Sequence, residues 1–290
     1  MAALHCKLSV IVPCHKPGPH LRVLLDSLAA QEFSEGFEVI LVDNAPGPGI
    51  GDWTAGYPDV LNLRIVEAKA RANGSYARNK GVAAARGEMI CFVDSDDELA
   101  PGYFSAMVAA LQSHQIVTSR VDTRELNAEW VVEAQGPAWQ DSELWVFFKF
   151  LPSAGINIAL RRSLFEALGG FKEEYSGSQD IEFSWRAQLE QSVTIQFVKD
   201  AVYRYRHRDT VLGMYRQTRN WGFSNVLLYS NFRELGMPGR PTRAAMREWK
   251  ESLIQLFQAR SKAQLGASMI RLGYCVGRLR GSIRYKTLYL

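Results

Sequence analysis

The sequence predicts an α/β fold, in which a mostly parallel sheet is flanked by helices and followed by a C-terminal helical extension. Short β-branched runs alternate with helical patterns through the first half of the 290 residues, which is typical of βαβ units. From about residue 211 the pattern is helical to the end. We therefore predict one α/β domain over residues 1–210 and a basic helical extension over residues 211–290.

Four strand-like runs define the first half of the sheet. They are LSVIVP at 8–13, FEVILVD at 37–43, LRIVE at 63–67 and MICFVD at 89–94. A helix is predicted after the first run from leucines at i, i+3, i+4 and i+7, namely Leu21, Leu24, Leu25 and Leu28. A second helix is predicted over 75–87, with Gly87 in its C-cap. The loop at 44–52 is rich in Gly and Pro, and we expect it to be exposed.

The second half continues the alternation before it becomes helical. Further strands are predicted at 115–122, 156–162 and 193–206. Helices are predicted from Pro101 to about His114, from near Asp180, and from residue 211 onward with a break at 236–241. Residues 123–142 follow no assignable pattern.

Composition limits the class of protein. Hydrophobic residues make up 47% and charged residues 22%, as in ordinary globular proteins. No run of eighteen apolar residues is present, and no secretory signal is found near residue 1, so we expect a cytoplasmic protein. The four cysteines lack the spacing of zinc or disulfide sites and are predicted to be reduced thiols.

The net charge of +4 conceals a strong asymmetry. Residues 201–290 carry 17 Lys and Arg against 4 Asp and Glu, whereas the first 200 residues carry 17 basic and 26 acidic residues. The segment at 268–286, SMIRLGYCVGRLRGSIRYK, interleaves Arg with apolar residues. Such a pattern suits an anionic surface at the inner membrane, a lipid-linked acceptor or a second copy in a homodimer, and a solvated helical cap stays an alternative. No nucleic-acid-binding motif accompanies the arginines, so no nucleic acid partner is expected.

Charged residues follow three of the predicted strands. Asp43 ends the second strand, Arg71 follows the third, and Asp94 and Asp96 follow the fourth. Ligands of parallel sheets bind beyond the carboxyl ends of the strands. A D-x-D tripeptide there can anchor Mg²⁺ or Mn²⁺, which neutralises a diphosphate. The alternative is that the acidic run caps the helix after Pro101.

Five ordered segments carry a resemblance to a known family. They are SVIVPCHKP at 9–17, VDN at 42–44, the run from 70 to 99 that includes VDSDDEL, RRSLFEALGGF at 161–171 and SQDIEFSWR at 178–186. Together they resemble family 2 of the glycosyltransferases, whose GT-A fold is Rossmann-like. The resemblance implies an inverting, metal-dependent transfer of a sugar from a nucleoside diphosphate sugar to an acceptor hydroxyl or amine. The acceptor is a small molecule, a glycan or a lipid-linked molecule.

The resemblance implies roles in donor binding. Asp43 matches the acid that contacts a pyrimidine base, which favours UDP or dTDP, and Pro13 lies in the loop that meets the base. Arg71 falls beside the base or diphosphate. Asp94 matches the first Asp of the D-x-D, near the ribose, and Asp96 the second, which holds Mg²⁺ or Mn²⁺.

The resemblance also implies the catalytic base. Inverting transfer needs a carboxylate that takes the proton of the acceptor. Asp180 matches that base, Glu182 is the second choice, and a helix N-cap is the alternative for Asp180. Gln179 stands where the family usually has Glu, which leaves open a catalytically impaired nucleotide-sugar-binding protein. His207 matches a histidine that some members use as a further metal ligand.

Overall fold

The computed structural model describes residues 6–47, 49–138 and 140–290. Within them, the strands are β1 (Leu8–Cys14), β2 (Phe37–Asp43), β3 (Leu63–Glu67), β4 (Met89–Phe92), β5 (Glu98–Leu99), β6 (Ile116–Asp122), β7 (Val146–Phe147), β8 (Leu151–Pro152), β9 (Ile158–Arg161) and β10 (Ile195–Arg204). The helices are α1 (His20–Ala29), α2 (Gly51–Thr54), α3 (Pro58–Leu61), α4 (Gly74–Ala84), α5 (Tyr103–Leu111), α6 (Glu129–Gln135), α7 (Arg162–Ala167), α8 (Gln179–Gln191), α9 (Val211–Phe232), α10 (Thr242–Gln258) and α11 (Lys262–Tyr285).

Eight of these strands form one sheet in the order β3-β2-β1-β4-β9-β6-β10-β5. The neighbours β3, β2, β1 and β4 are parallel, as are β6 and β10. Strand β9 runs antiparallel between β4 and β6, and β5 runs antiparallel to β10. The prediction of a mostly parallel sheet flanked by helices is confirmed.

Helices on both faces bury the central strands, which explains their continuous apolar runs. On β1, Val10 and Val12 face the core that includes α1 and α5, while Ile11 faces the opposite core with α4 and α7. The leucine stripe predicted for α1 is confirmed, because its four leucines are fully buried.

One local prediction in the first half is wrong, and a second holds only in part. Helix α4 ends at Ala84 and its C-cap is Ala85 in an extended conformation, not Gly87. A Cβ atom on Gly87 would lie 2.7 Å from the backbone nitrogen of Ser9, so this glycine permits a close approach to β1. The loop at 44–52 is exposed only in part, since Asn44 and Ile50 are buried. Pro48 of that loop lies outside the described residues.

The stretch at 123–142 contains α6, and Trp139 within it lies outside the described residues. Beyond it, the apolar run near residue 147 forms the hairpin β7–β8. Its turn places Phe148 and Lys149 at φ +55°, a left-handed conformation that costs energy for residues other than glycine. Nothing in the sequence pattern marks this turn.

The C-terminal extension is a bundle of α9, α10 and α11, with the predicted break at 236–241. Glycines let α9 and α11 approach closely: a Cβ atom on Gly277 would lie 2.1 Å from the carbonyl oxygen of Arg219, and one on Gly222 would lie 2.5 Å from that of Tyr274. A shared apolar cluster joins α9 to α8 through Trp185, so the extension packs on the sheet domain. The boundary at residue 210 stays a prediction. Among the described helices, none has the length and apolarity needed to cross a bilayer.

The four cysteines are free thiols; Cys14, Cys91 and Cys275 are buried, whereas Cys6 is half-buried.

Candidate active site

A cleft of about 500 Å³ opens beyond the carboxyl end of β4. Asp94, Asp96 and Asp180 all line it, together with Gln179. Its far wall comes from the extension, through Trp221 of α9 and side chains of α11. The structure thus brings together three carboxylates that are up to 86 positions apart in the sequence.

Each acidic side chain that follows β4 has a basic or hydroxyl partner. Arg78 of α4 donates to Asp94 Oδ1 at 2.6 Å, and Arg208 donates to Asp96 Oδ2 at 2.9 Å. These arginines offset the repulsion between neighbouring carboxylates. Burial, and then the charge of Asp94, still raise the pKa of Asp96. The cleft therefore holds carboxylates that would gain from a further cation.

The third acid of the run, Asp97, is buried and has a structural role. The hydroxyl of Tyr203 donates to its Oδ2 at 2.8 Å, and the backbone nitrogen of Arg206 donates to its Oδ1 at 2.7 Å. Burial raises the pKa of Asp97 well above its ordinary value. The alternative that the acidic run caps the next helix is wrong, because Gly102 is the N-cap of α5.

Asp180 is the second residue of α8, where its half-buried carboxylate lines the cleft. Burial raises the pKa of Asp180 to about 6, and a hydrogen bond from the Ile181 nitrogen and the charge of Arg78 offset part of that increase. The N-cap alternative is wrong, because Ser178 occupies that position in a left-handed conformation at φ +58°. Such conformations cluster at functional sites.

Helix α9 holds the loop that precedes Asp180. Asn220 Nδ2 donates to the carbonyl oxygen of Ser176, and the Ser176 hydroxyl donates to Asn220 Oδ1 at 2.9 Å. A Cβ atom on Gly177 would lie 2.9 Å from the Trp221 ring, so only glycine fits without a shift. The small residues of this loop therefore serve close packing, and the C-terminal extension positions the candidate base.

Gln179 and Glu182, the two residues near Asp180 that were singled out from the sequence, differ in their exposure to the cleft. Gln179, which precedes the candidate base in the sequence, also lines the cleft. Glu182 is 4% exposed and accepts two hydrogen bonds from Arg186, at 2.8 and 3.0 Å. Arg186 also donates to the carbonyl oxygens of Leu168 and Gly170. Glu182 is thus part of a buried ion pair that joins α8 to the turn after α7.

The residues expected to bind the nucleotide lie at the ends of β1, β2 and β3. Pro13 is half-buried in β1, and Asp43 is 1% exposed at the end of β2. Lys69 Nζ lies 3.3 Å from Asp43 Oδ2. Arg71 is largely exposed and pairs with Glu173. Pro13, Asp43 and Arg71 are absent from the described cleft lining that contains the three carboxylates.

Asn44 is an organising residue that the sequence analysis missed. Its Nδ2 donates to the carbonyl oxygens of Ala68 and Arg71, and its Oδ1 accepts from the nitrogen of Asn73. These bonds tie the end of β2 to the loop after β3. Its place in the VDN segment was the signal in the sequence that could have indicated this role.

His207 lies after β10 and is 6% exposed. Its ring packs edge-on against Tyr205, with centroids 5.0 Å apart, and its backbone nitrogen donates to Asn127 Oδ1 at 2.8 Å. Burial lowers the pKa of His207 to about 4, which keeps the imidazole neutral near pH 7 as a metal ligand must be. Its neighbour Arg208 lines the cleft, whereas His207 is not among the described lining residues.

The candidate metal site has few protein ligands. In the described ranges, no group of three or more His, Cys, Asp or Glu side chains could hold an ion. Mg²⁺ sites that serve phosphates need only one or two carboxylates, because the substrate supplies further oxygens. Asp96, with its side chain 26% exposed in the cleft, fits this type of site.

The far side of the cleft carries polar atoms without hydrogen-bond partners. Within the described chain, Gln135 Nε2, Gln217 Oε1 and Arg278 Nε are buried and make no hydrogen bond. All three residues line the cleft, as do the aromatic rings of Trp221 and Tyr274, whose centroids are 6.3 Å apart. Buried groups of this kind call for a ligand or water.

The sequence is similar to a family model and to curated proteins that are described as glycosyltransferases. Residues 9–169 match the family model described as glycosyl transferase family 2. The chain is 32% identical over 139 residues to the uncharacterized glycosyltransferase YibD of Escherichia coli, a match that covers 46% of this chain and 37% of YibD. It is 26% identical over 207 residues to the poly(ribitol-phosphate) beta-N-acetylglucosaminyltransferase TarS of Staphylococcus aureus, covering 69% of this chain and 35% of TarS. The chain therefore spans little more than a third of each of these curated relatives.

Solved structures share the fold over nearly the whole chain. S. aureus TarS 1-349 in complex with UDP-GlcNAc superimposes with a TM-score of 0.57 at 18% identity, covering 98% of this chain and 93% of that one. The mannosyltransferase PcManGT from Pyrobaculum calidifontis, in complex with GDP-Man and Mn²⁺, gives a TM-score of 0.64 at 18% identity, covering 95% and 86%. The predicted GT-A fold is confirmed.

Proposed function

The chain belongs to glycosyl transferase family 2, and from that premise we propose that it transfers a sugar from a nucleoside diphosphate sugar to an acceptor hydroxyl or amine with inversion. One observation carries the proposal: Asp94, Asp96 and Asp180 line a single cleft at the carboxyl edge of the sheet. Two of these carboxylates are paired with arginines, whereas burial raises the pKa of Asp180 to about 6. This difference in setting suits a division between donor binding and proton removal.

In the proposed donor site, Asp43 and Pro13 contact the base, Arg71 lies beside the base or diphosphate, and Asp94 lies near the ribose. Asp43 ends β2 and Asp94 follows β4, and these two strands lie on either side of β1. This placement supports the proposal that both residues contact one ligand. The neighbours solved with UDP-GlcNAc and with GDP-Man support a nucleoside diphosphate sugar as donor. An acid at position 43 favours a pyrimidine nucleotide, UDP or dTDP.

Asp96 is the proposed ligand of Mg²⁺ or Mn²⁺, and His207 stays a predicted second ligand. When bound, the cation would offset the charge of the departing diphosphate. Arg208 already neutralises part of the charge of Asp96, so a cation and this guanidinium compete for the same carboxylate. The Mn²⁺ in the mannosyltransferase structure supports a divalent ion in this fold.

Asp180 is the proposed general base. With a pKa of about 6, it is mostly ionised at neutral pH and more basic than an ordinary aspartate, so it can take the acceptor proton. Glu182 does not share this role in the proposal, because its two oxygens are bound by buried Arg186.

The acceptor is proposed to bind between Asp180 and the extension. The amide side chains of Gln135 and Gln217 line this wall, and the ring of Trp221 offers an apolar face. Arg278 is paired with Glu248 at 2.6 Å, so the wall is not strongly cationic. A saccharide, with hydroxyls and apolar faces, fits this wall better than a phosphate-bearing acceptor does.

The proposal is tested by replacing the base. Asp180→Asn should bind the donor nucleotide nearly as the unmodified protein does, and should lose turnover by a factor on the order of 10² to 10⁴. Thermal shifts with nucleoside diphosphates measure binding, and release of nucleoside diphosphate in the presence of Mn²⁺ measures turnover. Near-normal turnover in Asp180→Asn would refute the assignment.

The alternative, a nucleotide-sugar-binding protein with impaired catalysis, rests on Gln179. It predicts binding without release of nucleoside diphosphate, and a gain of turnover in Gln179→Glu. Our proposal predicts turnover in the unmodified protein and no such gain.

A further inference from the structure

Helix α10 presents an apolar stripe to solvent. Met246, Leu253 and Phe257 lie on one helical face at spacings of seven and four residues, and they are 68%, 43% and 88% exposed. Ile254, beside the stripe, is 42% exposed. Single exposed apolar residues are ordinary, but a stripe along three turns of one helix indicates an interaction surface.

The opposite face of α10 fixes the orientation of the stripe. Ala245 and Ser252 are buried, and Glu248 is bound by Arg240 and by Arg278 of α11. Because this face packs in the bundle, the helix cannot turn its apolar stripe inward without breaking these ion pairs. The stripe is therefore a fixed feature of the folded surface.

Basic residues accompany the stripe. Arg243, Arg247 and Lys250 are exposed, and Lys250 lies between Met246 and Leu253 on the same face. Residues 236–290 contain eleven Lys and Arg but only two acidic residues, Glu248 and Glu251. The first 200 residues are acidic overall, so a negative surface would attract the extension and repel the sheet domain.

We infer that α10 docks the protein on an anionic lipid bilayer, with Met246, Leu253 and Phe257 inserted among the headgroups and acyl chains. An apolar stripe flanked by basic residues is the pattern of helices that lie in the membrane interface. A second copy of this chain is the less favourable occupant, because pairing two α10 faces would bring their basic residues together. The inference does not depend on the proposed activity.

The segment at 268–286, for which a membrane surface, a lipid-linked acceptor, a second copy and a solvated cap were all considered, stays a further candidate contact. Its glycines pack against α9 and Arg278 is 4% exposed, whereas Leu279 and Ile283 are 41% and 73% exposed. Helix α10 carries the most exposed aromatic side chain of the extension, Phe257.

Co-sedimentation of the full chain with vesicles tests the inference. We expect binding to vesicles that contain phosphatidylglycerol in phosphatidylcholine, little binding to phosphatidylcholine alone, and weaker binding at high salt. Phe257→Glu should lower the partition coefficient at least about tenfold, because it replaces an inserting ring with a charge that the surface repels. The control is Val60→Glu, which likewise replaces an exposed apolar side chain with glutamate, at a site 66% exposed on α3.

Protein that stays in the supernatant with phosphatidylglycerol vesicles would overturn the inference, as would equal losses in Phe257→Glu and Val60→Glu. Circular dichroism and thermal unfolding establish that both variants are folded. A dimer in light scattering that Phe257→Glu dissociates, without vesicle binding, would assign the stripe to a second copy and also overturn the inference. Unchanged donor hydrolysis in Phe257→Glu keeps this test separate from the test of the activity.

Discussion

The charge of the half-buried Asp180 carboxylate should lower the stability of the fold, and its removal should restore that stability. An ordinary aspartate has a pKa of 3.8, whereas that of Asp180 is about 6. A difference of roughly two pH units, at about 1.4 kcal/mol each, corresponds to about 3 kcal/mol of unfolding free energy. Because the folded state holds the proton more tightly, this stability is present below pH 4 and is lost as the pH rises through 6.

Asp180→Asn keeps an oxygen that can accept from the Ile181 nitrogen but carries no charge. The variant should therefore match the unmodified protein near pH 4 and should be more stable by up to about 3 kcal/mol at pH 8. Urea unfolding at a series of pH values between 4 and 8 measures the difference. Asp141→Asn is the control, because it makes the same change on a side chain that is 66% exposed.

A variant Asp180→Asn that is no more stable than the unmodified protein at pH 8 would refute the reasoning. It would mean that the folded protein compensates the charge of Asp180, and that its carboxylate titrates as an ordinary aspartate does.

Three further predictions concern Asp180, the contact between α9 and α11, and the buried pair of Glu182 with Arg186. Turnover at saturating donor should fall tenfold per pH unit below about pH 6, as Asp180 is protonated, and a profile that is flat down to pH 5 would contradict this. Gly277→Ala should destabilise the protein by about 1–3 kcal/mol in urea unfolding, because its methyl group would lie 2.1 Å from a carbonyl oxygen of α9, whereas Gly18→Ala, with open space around it, should cost little. Glu182→Gln should cost about 3–5 kcal/mol by leaving buried Arg186 without its carboxylate, and an equally stable variant would show that the ion pair is weak.

The sheet was predictable because apolar patterns report burial. Strands covered by helices on both faces appear as continuous apolar runs, and β1, β2 and β3 match their predicted ranges within one residue. Strand direction is not encoded in such runs, so the antiparallel β9 between β4 and β6 could not be foreseen. The hairpin β7–β8 was missed because Phe148 and Lys149 adopt a left-handed turn without the usual Asn or Gly.

The candidate site residues that follow strands could be predicted from the sequence. The parts of the cleft that depend on tertiary packing between distant helices were harder to predict. Asp94, Asp96 and Asp180 lie in one cleft, as the sequence analysis expected. An acceptor contact of the extension was among the expectations, but a cleft wall formed by α9 and α11 was not, although the spacing of Gly273, Gly277 and Gly281 in the sequence could have indicated a close helix contact. The pairing of Glu182 with Arg186 depends on burial, which a sequence alone does not report.

The central claim is that Asp96 and a divalent cation together hold the diphosphate of the donor. UDP, dTDP and GDP are first compared by thermal shift with Mn²⁺, and the nucleotide with the largest shift is titrated by calorimetry. The account predicts that affinity falls at least about tenfold when a chelator is added, and likewise in Asp96→Asn, but not in the exposed control Asp52→Asn. Nucleotide affinity that is unchanged by both the chelator and Asp96→Asn would contradict the account.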